Sequence, residues 1–374
     1  MAYQNVGTPR FFIDNYIYLR ALGLDPESYI NETADINRYP DPSQVFKTPL
    51  DDENAFTLSP EMSKLFPRNS YTQRWFIPCG EMIRGMDFTG NMKWYGAILN
   101  HNFGDCNVTI TRSLFAGAVH DENHTETHLD ANYEKILNLD SHTEQHNGSS
   151  IWFSDNVPTG ERFSGFTLAG TEDDSDLSNL QIGAVSMGVM YTMPVSADLN
   201  LSMEIEFDGY DEMKTLGGST LTNIKQTGSP VWSNDGKYNS PFSVGEFSDV
   251  NHLNGAKRNG RRSWSLKFSF IADTNIFSSN YMDTMHMETT SGYDDSDKNT
   301  NGDSFEYNMF TDDSFVAQVW NKTLGGALPF IFQPDSNNNN PDQFCIAKFD
   351  MDTLSVKQTS FRTYSISIKI IEVW

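Results

Sequence analysis

Three stretches of the chain alternate strictly between apolar and polar residues. In Leu199–Phe207, Leu199, Leu201, Met203, Ile205 and Phe207 alternate with Asn200, Ser202, Glu204 and Glu206. In Ser263–Phe270, Trp264, Leu266, Phe268 and Phe270 alternate with Ser263, Ser265, Lys267 and Ser269. Near the end, Tyr364, Ile366, Ile368 and Ile370 alternate with Ser365, Ser367 and Lys369. Successive side chains of a strand point to opposite faces, so each stretch predicts a half-buried strand with one apolar face. The last is expected to pair into the same sheet, with Trp374 buried against it or against a neighbouring subunit.

Shorter β-like runs lie at Arg74–Ile77, Lys93–Leu99, Val108–Arg112 and Ser150–Phe153, separated by Gly, Asn and Asp. Their spacing suits a sandwich or jelly roll. The acidic stretch Val119–His146 has little apolar content beyond Tyr133, Ile136, Leu137 and Leu139, and predicts a long loop with one or two helical turns. One helix is expected after Asp312 or Asp313 as N-cap, with Phe315, Val316, Val319 and Trp320 on one face and Gly325-Gly326 as its stop.

Eight of the fifteen prolines fall in the first 78 residues. Proline removes backbone donors and turns its predecessor away from helix, so this region predicts an extended arm that packs on other surfaces. The polar stretch from Ile276 to Thr311 is longer than a compact domain tolerates as bare loop, and is expected to be mobile or ordered by a neighbour. The expected fold is mainly β. Residues 1–70 form an extended N-terminal arm and residues 71–175 a jelly-roll-like β-sandwich. Residues 176–374 form a second β domain with one packed helix and a long polar insertion at about 276–311.

Composition narrows the function. The 26 Phe, 15 Tyr and 7 Trp supply enough apolar mass to offset the entropy of ordering, so the chain folds. A net charge of −24 argues against nucleic acid, whose affinity comes from Lys and Arg displacing counterions. The start Met1-Ala-Tyr-Gln-Asn5 has no basic region followed by an apolar run, and no later stretch approaches the roughly 20 apolar residues that span a bilayer. A soluble, unexported chain with no membrane span is expected. Cys79, Cys106 and Cys345 are too scattered for a zinc ribbon or a redox pair.

Candidate chemistry is sparse. His120, His124 and His128 are spaced by four, which on a helix stacks three imidazoles into a transition-metal face. Asp297, Asn299, Asn301 and Asp303 match the opening of a calcium loop around Gly302, but position 12 is Asn308 where a bidentate Glu belongs. Beyond that structural calcium, no cofactor is expected. Trp75, Trp94 and Trp152 are possible stacking contacts for a glycan, against the commoner role of strand tryptophans as core. The chain holds no G-x-S-x-G elbow, Walker loop or H-E-x-x-H. Pairs such as Asp173-Asp174 sit in polar stretches where nothing desolvates one carboxylate against the other. No enzyme is expected.

The second half, from Gln181 to Trp374, resembles bacteriophage minor tail proteins of the tail tip or baseplate. The resemblance is carried by Ile182-Gly-Ala-Val-Ser-Met-Gly188 with Tyr191-Thr-Met-Pro194, by Lys214-Thr-Leu-Gly-Gly-Ser-Thr-Leu-Thr-Asn223, and by Arg261-Arg-Ser-Trp-Ser-Leu-Lys-Phe-Ser269. Leu324-Gly-Gly-Ala-Leu-Pro-Phe-Ile-Phe-Gln-Pro334 and the terminal Ile370-Ile-Glu-Val-Trp374 complete it, and Asn100-His-Asn-Phe103 looks like a segment found upstream in such proteins. It implies a tail-type β-module fused to the N-terminal sandwich. It further implies a virion location in the tail after synthesis in the host cytoplasm, partners that are copies of the chain in a ring together with tube, hub or fibre proteins, and no catalytic residues. The insertions at Thr284–Asp303 and Asp121–His146 depart from a compact tail module. Two other functions fit the residues: a carbohydrate- or receptor-binding module of the virion, and a head or neck structural protein.

Overall fold

The computed structural model describes residues 7–23, 63–64, 72–78, 90–101, 108–116, 126–128, 133–137, 143–144, 148–154, 161–170, 181–182, 184–199, 201–206, 210–224, 260–277, 313–340 and 343–373. The protein is mainly β, as the alternation predicts. In its first half the strands are β1 (Arg10–Asp14), β2 (Ser63–Lys64), β3 (Thr72–Pro78), β4 (Met92–His101), β5 (Val108–Ala116), β6 (Glu126–His128), β7 (Tyr133–Leu137), β8 (Thr143–Glu144), β9 (Gly148–Ser154) and β10 (Glu161–Gly170). The second half adds β11 (Gln181–Ile182), β12 (Ala184–Thr192), β13 (Ser202–Glu206), β14 (Tyr210–Lys214), β15 (Thr220–Ile224), β16 (Arg261–Ala272), β17 (Phe330–Gln333), β18 (Cys345–Phe349), β19 (Val356–Ser360) and β20 (Thr363–Glu372). Helix α1 (Asn15–Ala21) follows β1, α2 (Asp273–Ile276) follows β16, and a π-helix spans Val316–Asn321.

Eleven strands form one sheet in the order β13-β16-β20-β18-β17-β1-β12-β4-β9-β7, with β19 also on β20. A second sheet runs β3-β10-β5-β6, with β8 on β5. This corrects the expected division at 70 and 175. The large sheet takes β1 from the predicted arm, β4, β7 and β9 from the predicted sandwich, and the rest from the C-terminal region. Every described pairing is antiparallel, and the joints β1–β12 and β12–β4 run without a register shift. The acidic stretch Val119–His146, expected as loop with helical turns, contributes β6, β7 and β8.

The middle strands are buried on both faces. Phe11 and Ile13 of β1 enter a large cluster with Trp94, Met187, Tyr191, Trp264, Phe332 and Ile368, while Phe12 enters a smaller one with Tyr95, Ile151, Met190 and Ile346. A strand covered on both faces reads as a continuous apolar run, which is why β1 and β12 give no alternation signal. Trp264 of β16 meets Phe332 of β17 edge-to-face at 5.3 Å. Two strands, β20 and β18, lie between them, about 14 Å of flat sheet, so the sheet curls around the larger cluster.

The π-helix packs on the curled face: Phe315 sets its ring edge-on to Phe11 at 5.7 Å and to Tyr191 at 6.2 Å. Of the two predicted caps, Asp312 lies outside the described residues and Asp313 is corrected. Asp313 Oδ2 accepts from the backbone N–H of Asn91 instead, and Ser314 Oγ accepts from Ala317 N–H. The turn ends in the left-handed residues Leu324, Gly325 and Gly326, as the glycine pair predicts.

β16 and β20 pair over the two clearest alternating stretches, with Trp264, Leu266, Phe268, Ile366, Ile368 and Ile370 buried on one face. Phe270 departs from its predicted place. The ladder shifts register between Phe268 and Ile271, so Ile271 takes the inward position and Phe270 is exposed. A bulge of this kind inserts a residue and reverses the phase of the strand beyond it.

Candidate assembly surface

Strand β13 ends the large sheet. It pairs with β16 through Ser202↔Ser265, Met203↔Trp264, Glu204↔Ser263, Ile205↔Arg262 and Glu206↔Arg261, and no described strand covers its outer edge. Met203 and Ile205 therefore lie on the face of buried Trp264, yet they remain 51% and 52% exposed. The predicted half-buried strand is present at Ser202–Glu206, but its apolar face is corrected from buried to exposed, because alternation cannot tell an inner strand from the last one. Its backbone presents a row of donors and acceptors, and its apolar row continues the core past the sheet's edge.

Strands β14 and β15 form a separate hairpin, paired Tyr210↔Ile224, Asp211↔Asn223, Glu212↔Thr222, Met213↔Leu221 and Lys214↔Thr220. The turn is built firmly. Thr215 N–H donates to Ser219 C=O at 2.8 Å, Gly218 N–H donates to Thr215 C=O at 2.9 Å, and Ser219 N–H donates to Thr215 Oγ1 at 3.1 Å. Gly218 has φ +83°, a conformation few other residues adopt. Met213 and Leu221 share one face at 68% and 59% exposure, and Leu216 is fully exposed at the tip. Strand pairing places these residues together; their sequence separation hides the grouping.

Buried polar groups concentrate elsewhere. Asp14 caps α1 by accepting from Tyr16 N–H at 2.8 Å and Ile17 N–H at 3.0 Å, and its second oxygen accepts from Ser186 Oγ–H at 2.7 Å. Tyr95 OH lies 2.7 Å from the same Ser186 Oγ. Burial pushes the Asp14 carboxyl up to about 7, against the pull of its Ser186 and backbone hydrogen bonds. Burial, with Asp14 adding to it, pushes the Tyr95 phenol well above its usual range. The Asn15 amide is buried beside this group with both polar atoms unpaired. Across the sheet, Lys322 follows the π-helix with its Nζ on Gln318 Oε1 at 2.6 Å, and burial lowers its amine to about 7. These groups are enclosed in the core.

Among the predicted site residues, Trp94 and Trp152 are core, at 3% and 5% exposure. That corrects the glycan reading for both: their faces are spent on packing, Trp152 lying against Gly96, and are not open to a sugar. Trp75 lies in β3, and its side chain falls outside the described residues. His128 ends β6, so the helical stacking its spacing suggests is not formed there; His120 and His124 lie outside the described residues. Asp297, Asn299, Asn301, Asp303 and Trp374 also lie outside them. No group of three or more His, Cys, Asp and Glu is placed to hold a metal among the described residues, and no described helix is long and apolar enough to cross a membrane. Compared with known proteins, the chain matches no family model, no curated protein and no solved structure.

Proposed function

We propose that this chain is a structural protein of a bacteriophage tail, at the tail tip, in the baseplate or as an adaptor, that works by assembling with copies of itself and docking tube, hub or fibre proteins. The observation that carries the reading is the presence together of a half-apolar sheet edge at β13 that no described strand covers and a hairpin, paired with no other described strand, that exposes Met213, Leu216 and Leu221. Such features are liabilities on a monomer and working surfaces in an assembly. The motifs between Gln181 and Trp374 supply the tail assignment by resemblance. The glycan-binding alternative loses two of its three aromatic contacts to the core.

The test is the mass of the full chain by light scattering across a concentration series, with and without calcium. A defined oligomer supports the reading, and calcium-dependent growth would assign a metal role to the Asp297–Asp303 loop. A monomer at every concentration, with and without calcium, overturns intrinsic self-assembly.

A further inference from the structure

We infer that hairpin β14–β15 of one copy adds to the outer edge of β13 of the next, extending the eleven-stranded sheet by two strands in a head-to-tail contact. The inference rests on the assembly reading and names the surface that performs it.

A two-stranded hairpin is marginal in water without a third strand or a packed face. This one has a regular five-pair ladder and a firmly bonded turn, yet pairs with no other described strand. No described strand covers either of its outer edges, which leaves both able to pair. The nearest open edge in sequence is its own β13, three residues away. A meander through residues 207–209 would set Glu204 directly opposite Glu212 and Ile205 opposite Asp211. Like charges placed opposite each other destabilise a strand pair, so the hairpin stays off its own β13.

Charge also selects between copies. Two β13 strands pairing across a twofold axis would bring Glu204 and Glu206 of one copy against the same residues of the other. β15, Thr220-Leu-Thr-Asn-Ile224, carries no charge and offers β-branched Thr and Ile side chains suited to a sheet. With Leu221 opposite Ile205 of the neighbour, the apolar pair Met213–Leu221 covers the exposed row that continues from Trp264, while Thr220 and Thr222 face Glu206 and Glu204. A contact between two different surfaces of one chain closes a ring if the rotation permits and otherwise extends a filament.

The test mixes two variants of the full chain. Ile205→Glu spoils the acceptor edge and Leu221→Glu the hairpin, both at positions exposed enough to leave the fold intact. Each variant alone is expected to be monomeric by light scattering. A 1:1 mixture is expected to give a species of twice the monomer mass, because one pair of unaltered surfaces remains and both ends are then blocked. Variants that assemble like the unaltered chain, or a mixture that stays monomeric, overturn the strand addition. An unaltered chain that never assembles overturns the assembly reading itself. Hydrogen exchange on the unaltered chain provides a second measure: backbone amides of 202–206 and 220–224 should gain protection together as concentration rises, and protection confined elsewhere sinks the proposal without any variant.

Discussion

Arg262 grips Glu372 with two nitrogens, Nη2 to Oε1 at 3.0 Å and Nε to Oε2 at 3.1 Å, on the strand next to the open edge. Its backbone N–H reaches the same carboxylate at 3.0 Å, its Nη2 also donates to Phe344 C=O, and the guanidinium lies over Trp264. Glu372 is buried and Arg262 nearly so. Arg262→Ala strands a buried carboxylate and should lower stability by about 3–5 kcal/mol. Arg262→Lys should fail to restore it, since an ammonium cannot make the planar two-pronged contact. Urea midpoints of both variants check this, and a loss below about 1 kcal/mol for Arg262→Ala would mean the pair behaves as an exposed one.

Asp14 makes stability depend on pH in the acid range. Its folded pKa, about 7, stands above the ordinary 3.8, so between these values the folded state holds a proton that the unfolded state has lost. The contribution of Asp14 to stability therefore falls as pH rises from about 4 to about 7, and is constant above. Asp14→Asn keeps an oxygen for Tyr16 and Ile17 N–H and offers an NH₂ to Ser186. It should flatten that slope, measured as the unfolding free energy at several pH values. An unchanged slope would show that Asp14 ionises in the fold without difficulty.

The strands that border solvent are legible by their alternation; of the doubly buried ones, β4 and β9 read as short apolar runs, while β1 and β12 give no strand signal. β16 and β20 alternate because one face meets core and the other water, and both lie where the pattern predicts. Arg10–Asp14 reads as part of an arm, since a strand with core on both sides has no polar phase to count. Phe270 reads as inward because a bulge reverses the phase without a sequence signal. The domain boundary is misplaced for a different reason: pairing β1 with β12 and β17 joins residues more than 170 and 300 positions apart, and periodicity is silent on partners. Of the assembly surface, only β13 reads as a strand from the sequence, and exposure of Met203 and Ile205 depends on β13 being last in the sheet.

Gly188 sits where β1 crosses close to β12. A Cβ there would run into Ile13 C=O and meet Asn15 N at 2.8 Å, both backbone atoms that cannot swing aside. Gly188→Ala should force the two central strands apart, beside Asp14 and Tyr95, at a cost of roughly 1–3 kcal/mol or more. Gly218→Ala, in the open hairpin turn, meets no atom and bears only the strain of its left-handed backbone. Thermal melts of the two should separate sharply, with the larger drop at Gly188.

Lys322 acts on the alkaline side of the pH profile. Burial lowers its folded pKa to about 7 from 10.5, so between pH 7 and 10.5 the unfolded chain binds the extra proton and stability rises with pH. Asp14 gives the opposite slope below pH 7. The two together predict a minimum of stability near neutrality, an unusual profile, since proteins commonly peak between about pH 5 and 8. Lys322→Met replaces the amine with an apolar chain of similar length and leaves Gln318 its other interactions. It should raise stability at pH 7, remove the alkaline rise and leave the acid limb in place. Combined with Asp14→Asn it should yield a nearly flat profile from about pH 4 to 8, with stability falling above about pH 9, where burial keeps the Cys345 thiol protonated in the fold after the unfolded chain has lost that proton. A minimum that persists in the double variant would place the responsible groups elsewhere in the chain.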